Sequence, residues 1–326
     1  MKKISINQYY FWAVFSSLFL MNSCSKEDQN PQFTPGKNNF TISVDGVERS
    51  YVVHVPARYS GTESVPMVIF CHGSGQSGEQ FYNVSGWKEV GDTANFLTVF
   101  PTALVYCTVE EGVIENKTKW NSFPGGSEFC PGQNKKDDVK FISEMITQLE
   151  RIFKVDAKRI YMAGFSNGGQ FTATCAIQIS DRIAAVISCG GGGSFPTDTI
   201  YTPVRKLPVM LMFGNQDGKL LKKLGLPDNA SVPMGFDSLY TLYPQLYFVQ
   251  VKPYINNFEL DENNYTIGGD NNPITFANYS GKSGDPNNVF LIAEVKGLIH
   301  EYPNGKNYPL NGAVYHWDWF KKFQLP

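Results

Sequence analysis

Histidine is scarce in this sequence, with only four among 326 residues, so few imidazoles are available for chemistry. The chain has no C-x-x-C pair and no histidine-rich spacing, and we expect neither a metal nor a cofactor. Lysine and arginine form no basic stripe, and the net charge is -2, so nucleic acid is not an expected partner. No internal repeat divides the chain. Hydrophobic residues make up 42% of the sequence, which is enough for a sizeable core.

The N-terminus has the layout of an export signal. Two lysines precede a hydrophobic run over residues 9–21, which is too short to span a bilayer but suits a signal-peptide core. Cys24 follows a small residue after this run and resembles the lipidated cysteine of bacterial lipoproteins. An ordinary secretory signal cleaved nearby is the alternative. We expect a signal peptide over 1–23, a lipid anchor at Cys24 and a flexible tether over 24–38. The protein would then be exported, either as an outer-membrane or cell-surface lipoprotein or in secreted form.

Five further cysteines follow Cys24, and an exported protein can form disulfides. Cys107 and Cys130 bracket a polar loop and are the expected pair. The other three lie on apolar strands or a predicted helix and are expected to be buried thiols; they are Cys71, Cys175 and Cys189.

Short apolar segments recur along the chain and predict strands. Residues 40–44 and 51–55 alternate apolar and polar positions around Asp45 and Gly46, which predicts a hairpin. Six more apolar segments suit strands buried on both faces of a sheet, at 66–71, 96–100, 160–163, 184–189, 208–213 and 289–295. Helical stretches alternate with the later strands. The pattern predicts an α/β fold with a mostly parallel, eight-stranded sheet covered by helices on both faces.

Residues 164–168 read Gly-Phe-Ser-Asn-Gly, a G-x-S-x-G pentapeptide between a predicted strand and a predicted helix. A serine that attacks a carbonyl carbon must stand on a sharp strand-to-helix turn. Gly164 and Gly168 lack the side chains that would collide there. The helix N-terminus after Ser166 directs free N–H groups at a developing oxyanion. A glycine-rich loop without chemistry is the alternative, but the flanking strand and helix favour a nucleophile.

A serine nucleophile needs a base, and the base needs a carboxylate that orients it and offsets its charge. In doubly wound folds, reactive groups gather at the carboxyl ends of the strands. Asp217 follows a strand beyond Ser166, and His300 follows the last strand. This Ser-Asp-His order is expected of α/β-hydrolases. Asp237 and Asp261 are alternatives for the carboxylate.

The other three histidines are weaker candidates for the base. His54 lies within an early strand. His72 precedes the serine and, next to Gly73, is expected to shape a loop that binds the oxyanion. His316 lies on an amphipathic helix, where a structural role is expected, and it is the main alternative to His300.

Two backbone N–H groups are expected to form the oxyanion hole. One belongs to Asn167, directly after the serine, and the other comes from the Ser74 region. Gly73 and Gly75 let that backbone approach a substrate closely. The sequence leaves open which N–H of residues 73–75 points inward.

The chain resembles the secreted esterase family that includes polyhydroxybutyrate depolymerase-like enzymes and feruloyl and acetyl-xylan esterases. The matching segments fall within residues 50–305, at 51–56, 68–73, 138–142, 159–169 and 297–303. The resemblance implies an α/β-hydrolase fold and a triad of Ser166, Asp217 and His300. The chain departs from the family at Ile299 and Tyr302, where glycine and tryptophan are usual.

The resemblance and the N-terminal pattern together imply a surface-attached serine carboxylesterase that acts on feruloyl or acetyl esters of polysaccharides. A hydroxyalkanoate polyester is the alternative substrate. A non-catalytic, carbohydrate-binding lipoprotein is an alternative of another class, which a broken triad would indicate. The catalytic domain is expected over residues 39–326, with an excursion over 219–287 as a candidate substrate-binding cap.

Some aromatic residues outside the predicted strands are candidates for substrate contact. Trp120 lies in a long loop over residues 102–136 that shows little periodicity. Tyr240, Tyr243 and Tyr247 lie in the excursion. These side chains would stack on sugar or aromatic acyl groups, or would cover the core instead.

Overall fold

The computed structural model describes residues 33–110, 112–123, 128–269 and 272–326. The predicted signal peptide and the predicted anchor Cys24 lie outside the described residues, as does most of the tether. In the described ranges, no helix has both the length and the apolar character needed to cross a membrane.

Twelve strands occur in the described residues, and two of them, β5 and β6, pair as a separate hairpin. The strands are β1 (Gly36–Val44), β2 (Val47–Val55), β3 (Val65–Cys71), β4 (Leu97–Pro101), β5 (Val105–Glu110), β6 (Val113–Thr118), β7 (Val155–Phe165), β8 (Ala185–Cys189), β9 (Val209–Gly214), β10 (Leu260–Gly269), β11 (Ile274–Gly281) and β12 (Val289–Val295).

The other ten strands form one sheet in the order β1-β2-β4-β3-β7-β8-β9-β12-β11-β10. The central strands from β4 to β12 run parallel, and the strands at both edges are antiparallel. The predicted α/β fold class is confirmed. The expected count of eight strands is too low, because β10 and β11 extend the sheet at one edge. Both strands come from residues 219–287, the segment expected to leave the core.

Helices lie between the strands and cover the sheet. They are α1 (Gly78–Val84), α2 (Trp87–Ala94), α3 (Asp138–Ile152), α4 (Asn167–Gln178), α5 (Gly218–Lys223), α6 (Phe236–Leu242), α7 (Pro244–Leu246), α8 (Lys252–Asn257) and α9 (Gly312–Phe320), with a π-helical turn at Tyr247–Val251.

Strand β3 shows why the central strands are apolar throughout. Met67 belongs to a hydrophobic cluster that contains Phe141 of α3, whereas Phe70 belongs to a second cluster that contains Trp87 of α2. Successive side chains of a strand point to opposite faces of the sheet. A central strand with helices on both sides therefore has no polar face.

The first hairpin confirms a sequence prediction. Val44 pairs with Val47 across the turn between β1 and β2. Asp45 and Gly46 have φ angles of 51° and 74°, and the two-residue hairpin turn that matches strand twist requires positive φ at both positions.

A disulfide fastens the β5–β6 hairpin to the segment that follows it. Cys107 of β5 and Cys130, the expected pair, are joined with their Cα atoms 5.4 Å apart. The Cys130 N–H also donates to the Cys107 carbonyl oxygen at 3.0 Å. The remaining three cysteines of the described residues are buried thiols, and burial raises the pKa of each.

Candidate active site

The turn between β7 and α4 holds Ser166 in a strained conformation. Its φ of 53° and ψ of -121° lie outside the regions that L-residues favour. A Cβ on Gly164 would lie 2.3 Å from the Gly168 carbonyl oxygen, and a Cβ on Gly168 would lie 2.2 Å from the Cys71 carbonyl oxygen. The backbones of the turn and of β3 are thus in contact, and only glycine fits at either position of the pentapeptide.

His300 connects the Ser166 hydroxyl to the carboxylate of Asp217. Its Nε2 lies 3.0 Å from Ser166 Oγ, and its Nδ1 lies 2.8 Å from Asp217 Oδ2. A carboxylate oxygen only accepts, so Nδ1 carries the proton and Nε2 is left to accept from the serine hydroxyl. The three residues follow β7, β9 and β12, whose carboxyl ends share one edge of the sheet. This arrangement can move a proton from Ser166 to His300.

The start of helix α5 fixes the orientation of Asp217. Its Oδ1 accepts from the amide N–H groups of Lys219 at 2.9 Å and Leu220 at 3.2 Å, so that the aspartate is the N-cap of the helix. The side chain of Asp217 is 5% exposed and that of His300 is 23% exposed. One carboxylate oxygen is therefore held by the helix, and the other is directed at the imidazole.

Asn215 is a residue of the site that sequence reasoning missed. Its Oδ1 accepts from the Gly297 amide at 2.6 Å, and its Nδ2 donates to the Val232 carbonyl oxygen at 3.1 Å. Its own amide donates to the Val295 carbonyl oxygen at 3.0 Å. Asn215 thus joins the loop that carries Asp217 to the loop that carries His300. The sequence signal was an asparagine in a strand-end turn, a position that asparagine favours for local reasons.

The backbone after β3 leaves one amide of residues 73–75 available. The Gly73 N–H donates to Gln76 Oε1 at 3.1 Å, and the Gly75 N–H donates to the Thr118 carbonyl oxygen at 2.9 Å. Ser74 has no amide partner among the described residues and lines the same cavity as Ser166. Of the three amides that the sequence left open, the Ser74 N–H is the one free to meet an oxyanion.

His72 holds the loop of residues 73–75 in place through hydrogen bonds. It is fully buried, its Nδ1 donates to the Gly73 carbonyl oxygen at 2.7 Å, and its Nε2 accepts from the Ala103 amide at 3.0 Å. Burial lowers the pKa of His72 to about 4, so the ring stays neutral near pH 7. The expectation that His72 shapes the loop before Ser74 fits these contacts.

Trp120 lies in the core and not, as the sequence analysis expected, at the substrate. It is fully buried and stacks on Phe171 of α4, with ring centroids 4.7 Å apart. Its indole N–H donates to the His72 carbonyl oxygen at 2.9 Å, and its amide donates to Asn167 Oδ1 at 2.7 Å. An indole with both faces packed offers no stacking surface to a sugar, so the predicted substrate contact is wrong. Trp120 instead supports the two segments that carry Ser74 and Asn167.

The other two histidines lie away from Ser166. His54 pairs with Asp92, with Nε2 and Oδ1 2.9 Å apart. His316 is fully buried on α9, with its Nδ1 3.1 Å from the Tyr302 hydroxyl and its ring stacked on Trp87. Burial lowers the pKa of His316 to about 3. Tyr302, which stands where the family named in the sequence analysis usually has tryptophan, thus contacts His316.

Ser166 and His300 line a cavity of about 670 Å³, and Ser74 and Asn167 line it as well. Its walls include the β5–β6 hairpin, the loop after β8 and helix α5. The three tyrosines of the excursion do not line its described part: Tyr240 packs edge-on against Tyr247 at 5.1 Å, and all three pack against the core. The sequence left open whether these tyrosines stack on substrate or cover the core, and in the structure they cover the core.

Comparison with known proteins identifies relatives of this chain. A family model described as phospholipase/carboxylesterase matches residues 58–222, a range that contains Ser166 and Asp217. Among solved structures, the acetyl xylan esterase from Aspergillus awamori superposes with a TM-score of 0.55 at 14% identity, over 87% of this chain and 99% of that one. A likeness at this identity shows a shared fold.

Curated relatives are named as esterases and a depolymerase. A bifunctional acetylxylan esterase/xylanase from Neocallimastix patriciarum is 26% identical over 52% of this chain and 22% of the relative. Feruloyl esterase B from Piromyces equi is 24% identical over 85% of this chain and 46% of the relative. Poly(3-hydroxyalkanoate) depolymerase C from Paucimonas lemoignei is 28% identical over 43% of this chain and 30% of the relative. The chain spans less than half the length of each.

Proposed function

The chain belongs to the phospholipase/carboxylesterase family of α/β-hydrolases, and from this premise we propose that it is a serine esterase with Ser166 as nucleophile, His300 as base and Asp217 as the carboxylate that orients the base. The observation that carries the proposal is the position of His300, within hydrogen-bonding distance of both partners. A decayed hydrolase scaffold would not be expected to keep this arrangement. The proposal therefore favours an enzyme over a non-catalytic binding protein.

In the first half of the reaction, Ser166 Oγ attacks the ester carbonyl carbon while His300 Nε2 takes the hydroxyl proton. Asp217 accepts a hydrogen bond from the Nδ1–H of His300 and stabilises the imidazolium that forms. The oxyanion of the tetrahedral intermediate is bound by the amides of Asn167 and Ser74. Each such donor is worth about 3 kcal/mol of transition-state stabilisation. The intermediate collapses, His300 returns its proton to the leaving alcohol, and an acyl group remains on Ser166.

In the second half, water attacks the acyl-enzyme and His300 takes a proton from that water. The acid leaves, and Ser166 regains its proton from His300.

The substrate is a feruloyl or acetyl ester of a polysaccharide. Two relatives are named as an acetylxylan esterase and a feruloyl esterase, and a cavity of about 670 Å³ falls within the size range of sites for small ligands. A hydroxyalkanoate polyester is the second candidate substrate, because one relative is named as a depolymerase of such polymers. A panel of acetyl, feruloyl and hydroxybutyrate esters separates these substrates.

Ser166→Ala tests the mechanism on the same panel. Hydrolysis should fall to the level left by the oxyanion hole alone, because the hydroxyl forms the acyl bond. Ser180→Ala is a matched control, since Ser180 is buried but does not line the cavity. Full turnover by Ser166→Ala would refute the assignment.

The protein is exported and held on a membrane by a lipid on Cys24. The N-terminal hydrophobic run that ends near this cysteine supports the proposal. The Cys107–Cys130 disulfide supports it as well, because disulfides persist in oxidising compartments. Cys24→Ala should move the enzyme from the membrane fraction to the soluble fraction. A wild-type protein that is itself soluble, with a different mature N-terminus, would contradict the anchor.

A further inference from the structure

The described residues that line the cavity of Ser166 include more lysines than glutamates. Five lysines and two glutamates line its described part, an excess of three positive charges (five minus two). The whole chain has a net charge of -2. Electrostatic focusing in a cleft lined by one sign of charge raises the local concentration of ligands of the opposite sign.

The hairpin wall is balanced by its own glutamates. Lys117 Nζ lies 2.8 Å from Glu110 Oε2 and 2.7 Å from Glu115 Oε1. Lys119 contacts Glu110 and lies 2.5 Å from Glu128 Oε2. Two ammonium groups face three carboxylates here, so this wall adds no net positive charge.

The wall formed by α5 contributes the other three lysines of the lining. Its six residues, Gly-Lys-Leu-Leu-Lys-Lys, include three exposed lysines and no acidic residue. Asp217, which precedes the helix, is engaged with His300 and with the helix N-terminus. Lys223 has no hydrogen-bond or ion-pair partner among the described residues. Lys223 is therefore the cation best placed to meet a ligand.

The loop after β8 links Lys223 to the reacting atoms. A Cβ on Gly193 would lie 3.7 Å from Lys223 Nζ, and a Cβ on Gly190 would lie 3.5 Å from His300 Cε1. Three residues of chain span at most about 11 Å. With the two distances and the Cα–Cβ bonds added, His300 Cε1 and Lys223 Nζ lie within about 21 Å of each other, and both residues line the same cavity. A saccharide ester bound at Ser166 and extending along this cavity would approach the Lys223 ammonium.

We propose that the preferred substrate carries an anionic group on its alcohol part, as an acidic sugar does, and that Lys223 binds this group. This inference rests on the esterase function proposed above. A polysaccharide is too large to be enclosed, so its chain must extend from the cavity into solvent, and the lysines of α5 both line the cavity and are exposed. No arginine lines the described part of the cavity. Lysine offers a mobile point charge rather than the rigid fork that selects phosphate or a single fixed carboxylate, and it suits charges spaced along a flexible saccharide.

The test compares three acetyl esters that differ in charge: O-acetylated methyl glucoside, methyl glucuronoside and methyl glucoside sulfate. Wild type should hydrolyse the glucuronoside with a kcat/KM at least about threefold above that of the neutral glucoside, the effect of one charge pair at about 6 Å in water. This ratio should fall toward one in 0.5 M NaCl, where exposed charges are screened. Lys223→Glu should lower the ratio about tenfold, because attraction becomes repulsion.

Lys322→Glu is the matched control, a charge reversal at an exposed lysine that does not line the cavity, and it should leave the ratio unchanged. If Lys223→Glu lowers the kcat/KM ratio no more than Lys322→Glu does, the inference is wrong. A preference for the sulfate ester without one for the glucuronoside would overturn its assignment to a carboxylate sugar. After either of these two outcomes, hydrolysis of the neutral ester would still support the esterase function. If none of the three esters were hydrolysed, both the esterase function and the anionic-substrate inference would be wrong.

Discussion

Asn215 Oδ1 accepts a hydrogen bond from the Gly297 amide at 2.6 Å, which ties the loop that carries Asp217 to the loop that carries His300. We expect Asn215→Ala to lower kcat about 10- to 100-fold with little change in KM, because a displacement of about 1 Å in a catalytic group has an effect of this size. The unfolding free energy should fall by about 1–3 kcal/mol, the cost of leaving the buried Val232 carbonyl oxygen unpaired. Steady-state kinetics and denaturant unfolding measure the two effects.

Asn288→Ala is the matched control for Asn215→Ala. Asn288 is also buried, and its Nδ2 donates to the Phe258 carbonyl oxygen at 2.9 Å, but it does not line the cavity. A comparable loss of stability with an unchanged kcat is expected. If both variants lost kcat in proportion to stability, Asn215 would have no positioning role.

The two histidines that follow the last strand should respond in opposite ways to removal. His300→Ala should lose about four orders of magnitude in kcat at nearly unchanged stability, because no other imidazole reaches Ser166. His316→Ala should keep kcat and lose about 2–5 kcal/mol of stability, as other large-to-small substitutions in a core do. Activity on a chromogenic ester, measured beside thermal unfolding, gives both quantities. An active His300→Ala with an inactive but folded His316→Ala would move the base to α9.

Asp217→Asn should also slow turnover while substrate binding changes little. The amide would present either a donor or a neutral acceptor to His300 Nδ1, so the imidazole would lose the tautomer and the charge compensation that the carboxylate supplies. Its Oδ1 could still cap α5, so the fold should persist. A reduced kcat with an unchanged KM and melting temperature is the expected result. Unchanged turnover would remove Asp217 from the mechanism.

The parts of the fold that the sequence predicted share a physical feature. The central strands are apolar at every position because both faces are covered, and such runs are visible without a structure. Strand β11 was missed because its buried face includes Thr275 and Gly281 among its residues, which gives no apolar period. Strand β10 pairs on one side only and is mostly exposed, so its sequence resembles a loop.

A similar distinction separates the site residues whose roles were predicted from the sequence and those whose roles were not. Ser166, Asp217 and His300 each follow an apolar strand, and that position together with residue type made them candidates. Asn215 and Trp120 act through hydrogen bonds to residues 82 and 47 positions away in the chain, respectively. No local pattern encodes a partner at that distance. The burial of Trp120 was unpredictable for the same reason, since its loop shows no periodicity.

The Cys107–Cys130 disulfide should contribute about 3 kcal/mol to stability, since it closes a loop of 23 residues in sequence separation in the chain-entropy account of such bonds. A double Cys107→Ala, Cys130→Ala variant should show this loss in denaturant unfolding. Peptide mapping without reduction should recover the two cysteines in one linked fragment. Two free thiols in the protein as isolated from an exporting host would contradict the pairing.

Glu294 is a buried carboxyl group on β12, and it pairs in register with Phe213 of β9. Glu294 is 0% exposed. Its Oε2 accepts from the Gly235 amide at 3.1 Å, and its Oε1 has no hydrogen-bond partner among the described residues. Burial raises the pKa of Glu294 to about 8, from an ordinary value of 4.5. The folded protein therefore holds this proton over a pH range in which the unfolded chain has released it.

A folded state that binds the extra proton loses stability as the pH rises through this range. Between about pH 4.5 and pH 8, Glu294 should lower the unfolding free energy by up to about 1.4 kcal/mol per pH unit, and the effect should level off above the folded pKa. Glu294→Gln keeps the shape and an acceptor for Gly235 but binds no proton. Its stability advantage over wild type should therefore grow from pH 5 to pH 8. Glu48→Gln, which removes an exposed carboxylate, is the control and should run parallel to wild type. Denaturant unfolding of the three proteins at four pH values decides the matter, and a Glu294→Gln curve parallel to wild type would show that the buried carboxyl is ionised in the fold.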